Sequence, residues 1–333
     1  MRNDRPLTVV ITGASSGIGL ATALAFARRG DRLVLAARDE MSLDEAAVRC
    51  RAEGGEAIAV PTDVSVEAMV EELARAALDA FGRIDLWINN AAVTAFGFFE
   101  RIPPEVFRQV IETDLIGTAN GARAALPLFK RQGRGILINV ASMVSYVPQP
   151  YATPYVASKT AVRAFGECLR MELSLEHASD IHVCTVMPES VDTPLFENAA
   201  NFAGRAARPM PPILTPEQVA EAIVKLVEQP RREVFVGHAG RMATLMHSFA
   251  PGLFERTMAR QVDRKHFQRL PAAPDAGNVL APVGEGAHVH GGWRPPGLSW
   301  SKMALYGGLA ALPLLLVWRN RRPAAPRPLG LPF

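Results

Sequence analysis

The sequence predicts a doubly wound α/β fold, in which helices cover both faces of a parallel sheet of about seven strands. Three observations predict it. Short apolar runs alternate with longer helical patterns from residue 7 to residue 236. The runs are almost continuously apolar, which is typical of parallel strands buried on both faces. A glycine-rich turn at 12–19 directly follows the first run and opens the first helix.

Each element has a local signal. Apolar runs predict strands at 7–12, 32–37, 57–60, 86–89, 135–141, 182–187 and 233–236. Helical periodicity predicts helices at 18–29, 43–53, 66–81, 105–131, 155–177 and 216–228. Pro127 is expected to end or kink the long fourth helix. At the sixth helix, Thr215 is the predicted N-cap, Pro216 occupies the first helical position and Gln218 completes a capping box.

The predicted α/β domain occupies residues 1–240, and four segments of different character follow it. Residues 241–270 are basic and predict a helical extension, whereas 271–302 are rich in Pro and Gly and predict a linker. Residues 303–318 are apolar and 319–333 form a basic, Pro-rich tail. As a helix, the apolar run would span about 24 Å, less than the ~30 Å core of a bilayer. The sequence leaves open a membrane-surface helix and a helix buried against protein.

Composition excludes several classes of protein. The net charge of +3 argues against a dedicated nucleic-acid-binding protein. Cys50, Cys168 and Cys184 form no CxxC pair, which favours reduced thiols and a cytoplasmic location. His288 and His290 have no carboxylate or thiol neighbours in sequence, so no metal site is predicted. The short charged N-terminus is not typical of a signal peptide.

The glycine-rich turn predicts a dinucleotide site, because its backbone N–H groups can approach an anion at a helix N-terminus. Its candidate cofactor residues are Gly13, Ser15, Ser16, Gly17, Ile18 and Gly19. The second strand ends at Ala37, so no acidic residue is present there to bind a ribose 2′-OH. Arg38 follows and can bind a 2′-phosphate. The sequence therefore favours NADP(H) over NAD(H), with the alternative that Arg38 is a solvated charge beside Asp39.

A second motif places Tyr155 and Lys159 four residues apart. On a helix these positions share one face. An ammonium beside a phenol favours the phenolate, so Lys159 is expected to lower the pKa of Tyr155. A tyrosine of this kind can give or take a proton near neutral pH. With the dinucleotide turn, this pair predicts hydride transfer coupled to proton transfer.

Together these motifs resemble the short-chain dehydrogenase/reductase superfamily, in its non-extended branch with a Rossmann-type domain, over residues 6–240. Ser142 matches the family's substrate-positioning serine. The resemblance implies that Tyr155 is the general acid or base, that Ser142 binds the same oxygen, and that Lys159 also binds the nicotinamide ribose. It adds cofactor contacts at Asp63, Val64, Asn90, Ala91, Pro188, Val191 and Thr193.

Three positions depart from the family pattern. Ala92 and Glu189 stand where glycine is usual, and Glu189 is expected near the nicotinamide. Asp114 stands where the family has an asparagine that supports a proton-relay water. Asp114 keeps an oxygen acceptor but lacks the amide donors. Because a backbone carbonyl can still hold the water, the relay is expected to survive, with Asp114 counted among the catalytic residues.

The loop at 188–215 carries candidate substrate contacts, although ordinary packing against the sheet is an equal alternative. Its apolar residues are Leu195, Phe196, Phe202, Met210 and Ile213. The sequence thus predicts an NADP(H)-dependent oxidoreductase acting on a carbonyl or secondary alcohol of an apolar small molecule. The resemblance implies a homodimer or homotetramer. Two alternatives stay open: an NADP(H)-binding sensor without turnover, and a membrane-associated scaffold acting through residues 303–318.

Overall fold

The computed structural model describes residues 5–284 and 286–294. In chain order, the first elements are β1 (Thr8–Thr12), α1 (Gly17–Ala27), β2 (Arg32–Ala37), α2 (Glu40–Ala52), β3 (Glu56–Pro61), α3 (Glu67–Phe81), β4 (Leu86–Asn89), β5 (Ala95–Phe96), α4 (Pro104–Ile111) and α5 (Gly117–Gln132). The following elements are β6 (Gly135–Val140), α6 (Thr153–Leu175), β7 (Ile181–Pro188), β8 (Ala200–Asn201), β9 (Arg205–Ala207), α7 (Pro216–Glu228), β10 (Glu233–Val236), α8 (Ala239–Phe249), α9 (Pro251–Lys265) and β11 (Phe267–Pro271).

The central sheet contains seven strands in the order β10-β7-β6-β4-β1-β2-β3. Every neighbouring pair in it is parallel. The predicted fold class is therefore confirmed, and each predicted strand is present within a residue or two of its expected bounds. The strand order reverses beside β1, and ligands of such sheets bind at the carboxyl edge of this crossover point.

Alternate residues of each strand face opposite sides of the sheet, which explains why the strands are apolar throughout. In β1, Val9 and Ile11 pack into the core that contains α1 and α7. The intervening Val10 packs into the opposite core, with Trp87 and Phe129. All five side chains are fully buried. The rigid sheet between these two cores fixes the loops at its carboxyl edge.

The long fourth helix differs from its prediction. It runs from α4 into α5 through one wider π-helical turn, Glu112–Ile116, and continues past Pro127 to Gln132. Leu128 and Phe129 are buried against the sheet, and their packing keeps the helix intact beyond the proline. The helix ends at Gly133, which adopts a positive φ of 74°.

The C-terminal extension also differs from its prediction. The basic segment forms two helices, α8 and α9, and then β11, which pairs antiparallel with β9. Residues 271–284 and 286–293 have mostly irregular backbone, but they belong to the same compact unit as the sheet. Val279 and Ala287 are buried there. The described part of the predicted linker is therefore part of the folded domain, because its few apolar side chains are inserted into the core.

Among the described residues, no helix is long and apolar enough to cross a membrane. The predicted apolar run at 303–318 and the tail at 319–333 lie outside the described residues. Their proposed membrane association stays a prediction from sequence.

Candidate functional site

The glycine-rich turn between β1 and α1 requires glycine for steric reasons. Gly13 has a positive φ of 64°, and a Cβ there would lie 2.8 Å from the Cα of Ala91. A Cβ on Gly19 would lie 2.0 Å from the Gly13 carbonyl oxygen. The turn opens α1 at Gly17, so its N–H groups and the positive end of the helix face the carboxyl edge of the sheet.

The residues that follow β4 hold this turn in place through hydrogen bonds. The Thr12 hydroxyl accepts hydrogen bonds from the N–H groups of Asn90 at 3.0 Å and Ala91 at 3.1 Å. The Asn90 side-chain amide donates to the carbonyls of Thr12 at 2.9 Å and Gly13 at 3.1 Å. Asn90 and Ala91 therefore hold the turn in place as well as lining the site.

A single cleft along the carboxyl edge brings most of the predicted site residues together. The predicted residues that line it are Gly13, Ser15, Ser16, Gly17, Ile18, Arg38, Asp63, Val64, Asn90, Ala91, Ser142, Tyr155, Lys159, Pro188, Val191 and Thr193. Gly19 and Asp114 lie behind its wall, Gly19 against the turn and Asp114 fully buried below Lys159.

Ser142, Tyr155 and Lys159 meet at one end of the cleft. Ser142 follows β6, while Tyr155 and Lys159 lie in the first turns of α6. The Lys159 Nζ is 5.6 Å from the centre of the Tyr155 ring and donates to the Val140 carbonyl at 3.0 Å. This arrangement places a hydroxyl donor, a phenol and a buried ammonium around one point at the edge of the sheet.

The net shift of the Tyr155 pKa is opposite in direction to the predicted one. The pKa of Tyr155 is raised, first because the surrounding protein desolvates the phenol and second because Asp114 carries a negative charge nearby. Ser142 acts in the opposite direction and lowers the pKa. Burial also lowers the pKa of Lys159, against the field of Asp114. Tyr155 therefore retains its proton at neutral pH.

Asp114 lies in the π-helical turn, and its carboxylate is fully engaged. One oxygen accepts from the Val93 N–H at 2.9 Å, and the other accepts from the Ser158 hydroxyl at 3.0 Å. Lys159 Nζ lies 3.9 Å from the second oxygen. Burial raises the pKa of Asp114 to about 6, and Lys159 opposes this rise. The Asp114 carbonyl accepts from the Thr118 hydroxyl at 2.7 Å.

Arg38 lines the opposite end of the cleft and is half-buried, so its side chain is not fully solvated. Its guanidinium donates to the backbone carbonyls of Asn278 and, at 3.2 Å, Val279. The N-terminus of α1, two serine hydroxyls and this guanidinium form a donor set that suits the phosphates of a dinucleotide. The cleft therefore fits a nicotinamide dinucleotide.

The two glycine replacements have different consequences. Ala92 lines the cleft. Glu189 also lines the cleft, but its carboxylate accepts from the Gly240 N–H at 2.9 Å. Gly237 lies against the same side chain, since a Cβ there would be 2.2 Å from the Glu189 Cδ. Glu189 thus ties the C-terminal extension to the end of β7, a role that its position in the motif did not indicate.

The apolar residues of the loop at 188–215 fall into two groups in the structure. Leu195, Phe196 and Met210 line the cleft. Phe202 instead packs against the small core under α4, and Ile213 is not part of the lining. Sequence reasoning missed His266, which the extension brings to the same wall.

His266 is a neutral hydrogen-bonding group in this wall. Its Nδ1 faces the Arg208 carbonyl, which can only accept, so Nδ1 carries the proton and Nε2 accepts from the Gln149 amide at 3.2 Å. Burial lowers the pKa of His266. No sequence signal pointed to it, because it reaches the cleft only through the folding of α9.

Both residues of the histidine pair near the C-terminus are exposed, and His290 also contacts two carboxylates. His290 lies 3.0 Å from a Glu217 oxygen and 3.7 Å from an Asp192 oxygen. His288 lies at the edge of the cleft. The part of the chain that the structure describes holds no cluster of three or more His, Cys, Asp or Glu side chains suited to a metal ion.

Comparison with known proteins identifies relatives across this whole region. Residues 7–203 match the family described as short chain dehydrogenase. The uncharacterized oxidoreductase YxnA of Bacillus subtilis is 35% identical over 290 residues, which covers 86% of this chain and 81% of that protein. A match of this extent continues past the family profile and into the C-terminal extension.

Solved structures share the fold and differ in the nucleotide they contain. A short chain dehydrogenase/reductase from Burkholderia phymatum in complex with NAD has a TM-score of 0.67 and 27% identity, covering 83% of this chain and 99% of that one. An alcohol dehydrogenase from Thermococcus sibiricus complexed with 5-hydroxy-NADP has a TM-score of 0.60 and 32% identity, covering 69% and 96% respectively.

Proposed function

Because this chain belongs to the short-chain dehydrogenase family, we propose that it is an NADP(H)-dependent oxidoreductase for a carbonyl or secondary alcohol of an apolar small molecule. The single observation that carries the proposal is the shared cleft. A proton-transfer group of Ser142, Tyr155 and Lys159 lies at one end, and a phosphate-binding turn with Arg38 lies at the other.

The chain's own residues supply the proton chemistry. NADP(H), when bound, supplies or accepts the hydride. The Tyr155 hydroxyl donates its proton to the substrate oxygen, and Ser142 donates a hydrogen bond to the same oxygen as negative charge develops. Lys159 provides the positive field that eases the departure of this proton. The raised pKa of Tyr155 keeps the proton in place at neutral pH, so the phenol is in the form that acts as a general acid in carbonyl reduction.

The choice of NADP(H) rests on Arg38, since related structures contain either NAD or an NADP derivative. In the described part of the chain, no acidic side chain forms an ion pair with Arg38, and Asp63 acts on it only through its longer-range field. A half-buried guanidinium with neutral partners is stabilised by an anion such as a ribose 2′-phosphate.

The proposal is tested by incubating the protein with NADPH and a panel of apolar ketones and aldehydes, and by following the nicotinamide absorbance. We expect turnover of at least one apolar carbonyl, faster with NADPH than with NADH. Tight NADPH binding without turnover of any carbonyl or alcohol would instead favour the role of a nucleotide-binding sensor.

We also propose that the protein pairs through α5 and α6 into a homodimer or homotetramer. Met171 and Leu175 on α6 are 61% and 81% exposed in the single chain, although both are apolar. Light scattering of the purified protein tests this, with a monomer at micromolar concentration as the contradicting result.

A further inference from the structure

The C-terminal segment formed by residues 275–284 and 286–293, here called the strap, is folded into the nucleotide-binding half of the domain. Val279 is fully buried in the small core beside α4. Ala287 and Val289 are buried in the main core with α1 and α2. At the end of the strap, the Trp293 N–H donates to the Asp192 carboxylate at 2.7 Å. The strap is thus held at both ends and in its middle.

Between these anchors the strap forms one wall of the cleft. Its lining residues are Asn278, Pro282, Val283, Gly286 and His288. The Gly17 N–H, in the phosphate-binding turn, donates to the His288 carbonyl at 2.9 Å. Ser15 and Ser16 line the cleft beside this contact. The strap therefore touches the turn at which the phosphates of a dinucleotide are expected.

The strap also holds Arg38. Two of the five N–H groups of this guanidinium donate to the Asn278 and Val279 carbonyls. These carbonyls fix the plane of the guanidinium without neutralising its charge, and three N–H groups remain for another acceptor. Because Arg38 directly follows β2, it lies where the adenosine ribose of a dinucleotide binds in this fold.

We propose that the strap is a component of the cofactor site, which orients Arg38 for the ribose 2′-phosphate and closes over the adenosine half of the bound dinucleotide. The proposal rests on the proposed function in taking NADP(H) as the ligand. Asn278 and Val279 act as positioning residues through their carbonyls. Release of NADP(H) then requires the strap to loosen, and tight binding requires it to be docked.

The outer surface of α2 offers a way to loosen the strap without altering the cleft. The Glu45 carboxylate accepts from the Ala287 N–H at 3.1 Å, and the Arg49 guanidinium donates to the Ala287 carbonyl. Neither Glu45 nor Arg49 lines the cleft. The matched control is the exposed pair of Glu72 and Arg75 on α3, which are 2.8 Å apart and remote from the strap in the fold.

The experiment compares the full-length parent, Glu45→Ala/Arg49→Ala and the control Glu72→Ala/Arg75→Ala. Stopped-flow fluorescence measures the dissociation rates of NADPH and NADH, and titration measures their Kd values. In the strap variant we expect NADPH to dissociate at least about fivefold faster and to bind correspondingly less tightly. NADH should change by a smaller factor, because it shares the adenosine but lacks the 2′-phosphate. The control variant should match the parent.

Hydrogen exchange of the parent gives a second readout that needs no substitution. NADP⁺ should slow exchange in peptides covering the strap more than NAD⁺ does. Equal exchange of the strap with and without nucleotide would overturn the proposal. So would parental NADPH release from the strap variant, or tighter NADPH binding by it, which would make the strap a competitor of the cofactor. A lack of carbonyl turnover would overturn the reductase assignment alone, because these binding measurements do not depend on it.

Discussion

The two ends of the cleft are built in different ways. At the catalytic end, Ser142 follows a central strand, and Tyr155 and Lys159 are one helical turn apart. At the adenosine end, Arg38 follows β2 but is held by carbonyls about 240 residues later in the chain. Local spacing therefore determines the first group, whereas the second depends on how the C-terminal extension folds back.

This difference indicates which functions are robust to changes in the extension. The residues proposed as catalytic are held by the sheet and α6, whose buried positions leave little freedom. The affinity and release of the nucleotide depend also on the strap, which is joined to the domain by a small number of hydrogen bonds and buried side chains. Substitutions at the two ends should thus affect turnover and binding separately.

The largest expected effect is at the catalytic end. Tyr155→Phe removes the proton donor and keeps the ring, so turnover should fall by ~10²–10⁴-fold while the Kd for NADPH changes less than about twofold. Steady-state kinetics on an accepted carbonyl and a fluorescence titration measure the two quantities. Tyr146→Phe removes a hydroxyl outside the cleft lining and is the matched control. Parental turnover by Tyr155→Phe would show that another group donates the proton.

The next effect is at the adenosine end. Arg38→Asp should weaken NADPH binding by ~10–100-fold, because a hydrogen bond to a charged group contributes about 1.5–3 kcal/mol, and should reverse the preference in favour of NADH. Titration with both nucleotides measures this, and Arg75→Asp, an equal charge change on the exposed face of α3, is the control. Equal affinity of the parent protein for the two nucleotides would contradict the assignment of Arg38.

The same contrast explains what the sequence could predict. The seven strands, the glycine turn and the Tyr155–Lys159 spacing are local patterns. The structure has all seven strands in one sheet and places the turn and the Tyr155–Lys159 pair along one cleft. The short strands β5, β8, β9 and β11 were missed because they depend on distant pairing partners rather than on their own periodicity. His266 and the strap were missed for the same reason, since an irregular Pro/Gly-rich segment carries no signal of what it packs against.

The sign of the Tyr155 pKa shift was missed for a physical reason. Spacing showed that an ammonium is nearby, and attraction alone lowers the pKa of a phenol. It did not show how thoroughly the phenol is desolvated, or that the buried Asp114 charge acts on it as well. Burial and long-range charges are properties of the assembled fold, so the direction of a pKa shift is less predictable than the identity of the group.

A smaller effect is expected at Asp114. Asp114→Asn should leave carbonyl reduction within about tenfold of the parent at pH 8, since the backbone carbonyl that can hold the relay water is unchanged. The dependence of kcat/KM on pH should distinguish the parent from the asparagine variant more clearly. The pKa of Asp114 is raised to about 6, so below this pH the carboxyl is protonated and Lys159 loses its counter-charge. The kcat/KM of the parent should increase as the pH rises through about 6. The kcat/KM of the asparagine variant should show no such increase in this pH range.

Two results would contradict this account of Asp114. An identical step in both profiles would assign it to another group. A gain of about a hundredfold in the variant would mean that the natural aspartate impairs catalysis, and would favour a nucleotide-binding role over turnover. Ser158→Ala provides a comparison, because it removes one hydrogen bond to the carboxylate and retains the charge.

The smallest effect on the cleft is expected from ending the chain after Pro296. This truncation keeps the whole strap through Trp293, so the domain should fold and bind NADPH with a Kd within about twofold of the parent. Ending the chain after Pro271 removes the strap, and NADPH binding should weaken. The apolar run at 303–318 should matter instead for location, so the full-length protein should sediment partly with lipid vesicles, whereas the chain ending at Pro296 should stay in the supernatant. Loss of NADPH binding on truncation after Pro296 would show that residues beyond the strap also support the cofactor site. If the full-length protein does not sediment with vesicles, the result would favour packing of the apolar run against protein.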